Sequence, residues 1–279
     1  FAAAPSQPRT SSDAFSAAPF AMLVTAPPQG SDSDPAVLRA TPWLIRKAAI
    51  QVAPSIPAMR VGTEPLARNS GFFGAGAPAL TGAQAPGKAT TYFRSAGVDV
   101  TAVRGLAALP GADAELRSMS RALGADRSQL LIGNEATEAA VKGADLGQAR
   151  IVAFATHGLV AGELTGLAEP ALVFTPPAEA TTLDDALLTA SEAAQLKLNA
   201  DWVILSACNT AAGETGQSPG YTGLARAFML AGGRRVLASH WPVRDDAAAR
   251  LTVDTVRLSA RGETPARALQ KAMLKLIDD

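Results

Sequence analysis

Two short stretches constrain what this chain can fold into: Ile151-Val-Ala-Phe-Ala-Thr-His157-Gly158 and Trp202-Val-Ile-Leu-Ser-Ala-Cys208-Asn209-Thr210. Each is a run of β-branched and apolar residues that stops abruptly at a reactive side chain. Runs that are apolar at nearly every position suit strands covered on both faces, and sheets covered in that way are parallel because the covering helices are their crossovers. Strands of a parallel sheet all end on the same side. The pattern therefore predicts His157 and Cys208 at neighbouring carboxyl ends.

Cysteine occurs once in the chain, directly after its strand and ahead of a polar, glycine-bearing loop that can hold a thiol at the edge of a sheet. Histidine occurs only as His157 and His240. Gly158, with no side chain, would let a substrate approach the backbone beside His157. A Cys–His pair on two strand ends has the parts of a nucleophile and its base. The competing reading makes Cys208 a small buried hydrophobe and His157 an inert, hydrogen-bonded residue; finding both at matching strand ends favours the dyad. One cysteine with two histidines 51 and 32 residues away supplies no CxxC or HExxH pattern, so no metal is expected. The glycines form no Walker or dinucleotide motif after a strand, and no cofactor is expected either.

Residues 1–18, rich in Ala, Ser and Pro and without periodicity, read as a tail or linker, and 19–279 as one folded unit. Residues 20–25 are a candidate strand, 27–35 a turn-rich loop, and 43–52 ambiguous. From 68 to 104, glycines at 71, 74, 76, 82, 87 and 97 break the pattern, and the stretch is expected to be a flexible insertion, with Phe72-Phe73 and Ala77 to Leu80 as candidate strand fragments. Regular alternation follows: a helix over 114–123 stopped by Gly124, a strand over 129–132, a helix from about 137 to 144, and then the His157 strand. A strand is expected over 171–175. A helix is expected over 188–196, with Thr189 and Glu192 spaced as a capping box. After the Cys208 strand come a helix over 223–230, a strand over 234–239, and closing helices over about 246–259 and 265–277. Strand and helix in alternation imply an α/β sandwich with a mostly parallel central sheet flanked by helices.

Four ordered motifs carry a resemblance: Ala155-Thr-His157-Gly158, Leu205-Ser-Ala-Cys208-Asn-Thr210, Gly223-Leu-Ala-Arg-Ala-Phe228 and Ser239-His-Trp241-Pro-Val243. Together they resemble the CHAT domain, a caspase-like and separase-like family of cysteine peptidases. The 51-residue separation of His157 and Cys208 is close to the roughly 50 residues described for caspases. The resemblance implies a caspase-like three-layer sandwich with Cys208 as nucleophile and His157 as general base and acid. It also implies the backbone N–H groups of Gly158 and Cys208 as oxyanion donors, and no third catalytic residue is nominated. The pocket for the residue before the cut is expected around Ser239, His240, Trp241, Asp245 and Asp246, where an acid would favour a basic side chain; Asp246 could equally cap the helix that follows. Relatives pair a stretch like 43–52 as strands before a short helix, here about 55–61. They also often follow TPR repeats, which implies a regulatory region, and continue past the last helix into one more edge strand, for which this sequence offers no candidate.

The 25 basic and 25 acidic side chains cancel, which removes any overall electrostatic reason to expect nucleic acid or an anionic membrane as partner. One cysteine cannot form an internal disulfide, and a reactive thiol suits a reducing cytoplasm. No uninterrupted apolar stretch reaches the roughly 18 to 20 residues that span a bilayer. The expected function is a cysteine endopeptidase acting on a protein or peptide substrate under control of an attached or bound sensor module. The alternatives are a catalytically silent scaffold for protein–protein interaction and a small-molecule hydrolase or acyltransferase.

Overall fold

A computed structural model describes residues 20–31, 33–52, 70–81, 100–181, 183–207, 223–239 and 243–279. Among these residues the strands are β1 (Gly71–Pro78), β2 (Ser128–Gly133), β3 (Ala149–Ala155), β4 (Gly158–Leu159), β5 (Ala171–Val173), β6 (Leu187–Thr189), β7 (Trp202–Ser206) and β8 (Val236–Ala238). The helices are α1 (Pro35–Ala40), α2 (Leu44–Lys47), α3 (Val100–Arg104), α4 (Ala112–Leu123), α5 (Glu138–Gly143), α6 (Ala190–Ala193), α7 (Leu224–Leu230), α8 (Asp245–Ala260) and α9 (Pro265–Asp278). Five strands form an all-parallel sheet in the order β2-β1-β3-β7-β8, and β4-β5-β6 form a small antiparallel sheet.

Side chains alternate strictly across the large sheet, as the pleat requires. Phe72, Ile151, Ala153, Trp202 and Ile204 face one side, where they pack with Leu116 and Met119 of α4 and Val256 of α8. Phe73, Ala75, Val152, Phe154, Val203 and Leu205 face the other, with Val141 of α5 and Leu224 and Phe228 of α7. Both faces are therefore covered, giving the three-layer α/β sandwich that the sequence implied. Phe154 is the hub of the second face: its ring lies 6.3 Å from Phe73 and 6.1 Å from Phe174 in edge-on pairs, and 5.2 Å from Phe228.

The expectation of a flexible insertion over 68–104 is corrected for its opening part. Residues 71–78 form β1, hydrogen-bonded to β2 on one side and β3 on the other, with Phe72, Phe73 and Ala75 buried. The glycines that looked like loop residues are packing residues. A Cβ on Gly76 would lie 2.1 Å from the Ala155 carbonyl oxygen, and one on Gly71 would lie 2.8 Å from that of Gln148. Val100–Arg104 is helical, whereas 82–99 lies outside the described residues. So do 1–19, which include the tail over 1–18, and the short helix expected at 55–61.

At the amino-terminal side, residues 20–25 are not a strand. Phe20–Met22 is a 3-10 turn, and Val24 makes a single antiparallel bridge to Trp43. The ambiguous stretch after Trp43 becomes α2, tied to α9 through Gln270 Nε2, which donates to the Ile45 carbonyl at 2.7 Å. Asp34 caps α1 within what read as a loop. Elsewhere the sequence signals hold: Gly124 ends α4 in the left-handed conformation at φ 63°, and Thr189 and Glu192 form the capping box of α6. That helix is shorter than 188–196 because Leu187–Thr189 is spent on β6.

The small sheet continues directly from β3 and is anchored to α5 by a charge cluster. Asp185 donates its backbone N–H to Glu138 Oε2 at 2.8 Å. Lys142 donates to the Leu183 carbonyl at 3.1 Å and to Glu192 at 2.7 Å, and it also pairs with Glu138. Burial pushes the Glu138 carboxyl up to about 7 even though Lys142 and the Asp185 N–H favour its charged form. Burial likewise raises Asp185. Burial opposes the charged forms of Lys142 and Glu192 as well, but their mutual hydrogen bond, with Glu138 helping the lysine and Thr189 the glutamate, prevails: Lys142 is raised and Glu192 lowered.

Two outcomes follow from this packing. Phe154→Ala, which empties the aromatic hub, is expected to lower unfolding free energy by about 3–5 kcal/mol in urea titrations. Glu138 has a higher pKa folded than unfolded, so it favours the fold at low pH and loses that contribution as pH rises from about 4.5 to about 7. Stability of the unmodified protein, measured from pH 4.5 to 8, is expected to fall by on the order of 2 kcal/mol more than that of Glu138→Gln over the same range. Lys142 acts at the basic extreme, outside this window, and Asp185 and Glu192, which act toward its acidic end, are present in both proteins.

Candidate active site

β3 delivers His157 to the carboxyl edge of the large sheet, and the small sheet holds it there. The run Ile151 to Ala155 is buried throughout. At Thr156, also buried, the hydroxyl donates to the Val173 carbonyl, and the Val173 N–H donates to the His157 carbonyl at 3.0 Å. The Thr156 side chain and the His157 main-chain carbonyl are thereby both clamped to Val173 of β5. Gly158 pairs with Leu172 in an antiparallel ladder whose cross-strand bond runs from Val173 to His157. In that register Gly158 and Leu172 are a non-hydrogen-bonded pair, so the Gly158 N–H is turned away from β5.

The His157 ring is partly buried, and its Nε2 lies 2.7 Å from the carbonyl oxygen of Ala107. A carbonyl accepts and cannot donate, so Nε2 carries the hydrogen. In the neutral ring the lone pair is then on Nδ1, which is the basic nitrogen. The carbonyl fixes both the tautomer and the orientation of the imidazole, as a second partner does in other histidine sites. Ala107 stands between α3 and α4, and no sequence signal marks it, because the group that acts is backbone.

β7 lies beside β3 in parallel register, with Ile151 opposite Trp202 and Ala155 opposite Ser206. His157 and Cys208 each follow this last register pair by two residues. Cys208, His240 and Trp241 lie outside the described residues. Ser239, placed in the substrate pocket by sequence, donates its hydroxyl to the Ala207 carbonyl at 2.8 Å and so ties β8 to the residue preceding Cys208. Asp245 opens α8, and its side chain is outside the described set. Asp246 is exposed and held by Arg244 through two 3.0 Å bonds, and the Arg244 guanidinium keeps its carboxyl below the usual range. It also accepts from the Ala247 N–H at the start of α8.

A cavity of about 220 Å³ opens at the same sheet edge, lined by Thr156, His157, Ser206, Ala207 and Ser239 together with residues of α4 and α8. Asp246 does not line it. The acid that does is Glu115 of α4, buried at 7% exposure, whose Oε1 accepts from the Thr252 hydroxyl of α8 at 2.6 Å. Sequence reasoning passed over Glu115, yet the signal exists. Ala112, Leu116 and Met119 form the buried stripe of α4, and Glu115 is a charge set on that stripe.

Among the described residues, no group of three or more His, Cys, Asp or Glu is placed to hold a metal ion, and no helix is long and apolar enough to cross a membrane. Comparison with curated proteins returns no match. The family model of the CHAT domain matches residues 10–279, which takes in both edges of the site and the helices that wall its cavity. The chain belongs to the CHAT domain family, which is related to the caspase-like cysteine peptidases.

Proposed function

We propose that the protein is a cysteine endopeptidase that hydrolyses peptide bonds of a protein partner through Cys208 and His157. The observation that carries this reading is the bond from His157 Nε2 to the Ala107 carbonyl, which commits one ring nitrogen and leaves Nδ1 as the base. The β3–β7 register supports it, because both reactive residues follow the last paired positions by the same offset. The direction of the Gly158 N–H, away from β5, supports its use as an oxyanion donor with the N–H of Cys208.

In the reaction so read, His157 takes the thiol proton and the Cys208 thiolate attacks the scissile carbonyl carbon. The carbonyl electrons move onto oxygen, and the two N–H groups stabilise that charge. As the oxyanion collapses, the C–N bond breaks and His157 returns its proton to the departing amine, leaving an acyl thioester. Water then attacks with its proton passing to the imidazole, the C–S bond breaks, and the acid product leaves. A reducing compartment such as the cytoplasm suits a catalytic thiol, and regulation by an attached or bound sensor, a TPR-type region among the candidates, suits an endopeptidase that must not cut at random.

Covalent labelling by a peptidyl ketone electrophile, read by intact mass, tests this directly. Modification is expected at Cys208, absent in Cys208→Ala and slowed by about 10²–10⁴ in His157→Ala, the usual contribution of a general acid–base residue. Labelling no faster than that of a free thiol, and indifferent to His157, would replace the peptidase by a silent scaffold.

A further inference from the structure

We propose that Arg104 is a positioning residue for His157: it clamps the end of α3 so that the Ala107 carbonyl stays on the imidazole. The clamp stands on geometry, and its catalytic meaning rests on the peptidase reading. His157 is held from two directions, and both lead back to one short segment. Val173 of β5 bonds Thr156 and the His157 main chain. The chain then runs on to Thr175, which is fixed to the carboxyl ends of β1 and β2. The Thr175 N–H donates to the Ala136 carbonyl at 2.8 Å, and its hydroxyl donates to that of Gly133 at 2.7 Å while accepting from the Ala79 N–H at 2.9 Å. Pro176 and Pro177 follow at once. Proline has a fixed φ and no N–H, so these two residues donate to no ladder and present their carbonyls in a set direction. Pro176 is buried, and a buried carbonyl needs a donor. Arg104 Nη2 supplies it, donating to the Pro177 carbonyl and reaching that of Pro176 at 3.5 Å.

Arg104 is the last residue of α3, three before Ala107. Its neighbour Val103 is fully buried among Leu159, Val173 and Leu187, which seats α3 on the small sheet. Apolar packing is non-directional and does not by itself set where the end of a helix stands. Arg104 does so twice over. Its guanidinium grips the segment after β5, and its own carbonyl accepts from the Thr81 N–H at 3.0 Å and the Thr81 hydroxyl at 3.3 Å. Among the described residues this half-buried arginine forms no ion pair, and its donors go to main-chain oxygens instead. A planar, permanently charged fork suits two adjacent carbonyls better than the point charge of a lysine. The main chain of His157 and the acceptor of its ring are thus both referenced to residues 173–177. Removing the Arg104 link frees the acceptor alone, and Nε2 loses the partner that sets its tautomer and orientation.

The test reads the imidazole itself. The chain has two histidines, so spectra of ¹⁵N-labelled imidazoles are simple, and His157→Ala identifies the His157 signals by their loss. At alkaline pH the unmodified protein is expected to show a single neutral tautomer, its hydrogen on Nε2 and protected from exchange with water. Arg104→Met keeps a long stem and removes the donors. In it the two nitrogens are expected to shift toward a tautomer mixture, with Nε2–H exchange about tenfold faster and Cys208 labelling by the peptidyl ketone about tenfold slower, the weight of one lost hydrogen bond. Val256→Ala, which truncates the core between α8 and the large sheet, controls for lost stability and is expected to keep the unmodified spectrum. An unchanged spectrum in Arg104→Met, or the same change in Val256→Ala, would overturn the clamp while leaving the peptidase standing. If Arg104→Met does not fold, Arg104→Lys is read in its place. A lysine reaches one carbonyl at a time, so part of the shift is expected, and none at all would overturn the clamp. A spectrum that changes in Arg104→Met while the labelling rate stays level would support the clamp and remove the peptidase reading.

Discussion

A sheet buried on both faces has no lateral place for polar chemistry, and this constraint organises the rest of the molecule. Phe154 on one side and Ile151 on the other are both packed against helices, so polar side chains come into play only where strands stop. Parallel pairing collects those stops on one edge, and the β3–β7 register brings two of them level. The site is thus a by-product of how the core is made. The small antiparallel sheet then converts a strand end, ordinarily loose, into a fixed support, because Val173 of β5 bonds both the Thr156 hydroxyl and the His157 carbonyl.

The same geometry explains why the sequence was readable at the centre. β3 from Ile151 to Ala155 and β7 from Trp202 to Leu205 are apolar at every position because both their faces are covered, and that continuity stands out against alternating or amphipathic patterns. The two helix-end signals were legible for a local reason. A glycine in the left-handed region after α4 and a Thr–Glu pair at α6 act over three or four residues, without help from the rest of the fold.

β1 was legible only as fragments, at Phe72-Phe73 and from Ala77, because its glycines answer to contacts far away in sequence. Nothing in Gly71-Phe-Phe-Gly-Ala-Gly-Ala-Pro78 announces that the Ala155 carbonyl passes close to position 76, so a run with few side chains reads as a loop. Glu115 is the opposite case. Its misplacement on an apolar stripe is visible in the sequence, but its meaning depends on Thr252, 137 residues further on. Asp246 drew attention for being acidic and near the right strand, and neighbouring Arg244 absorbs it.

The partner of His157 is a main-chain oxygen, and that sets what can disturb it. No side-chain replacement at Ala107 deletes a carbonyl. What places that oxygen is the route of the chain from α3 to α4, fixed by a turn from Leu106 N–H to the Val103 carbonyl at 3.1 Å and another from Ala112 N–H to Leu109 at 3.2 Å. The tautomer of His157 is therefore governed by the length of this connection. A replacement at Ala107 leaves the accepting oxygen in place, whereas an insertion or deletion between Arg104 and Gly111 would turn the imidazole.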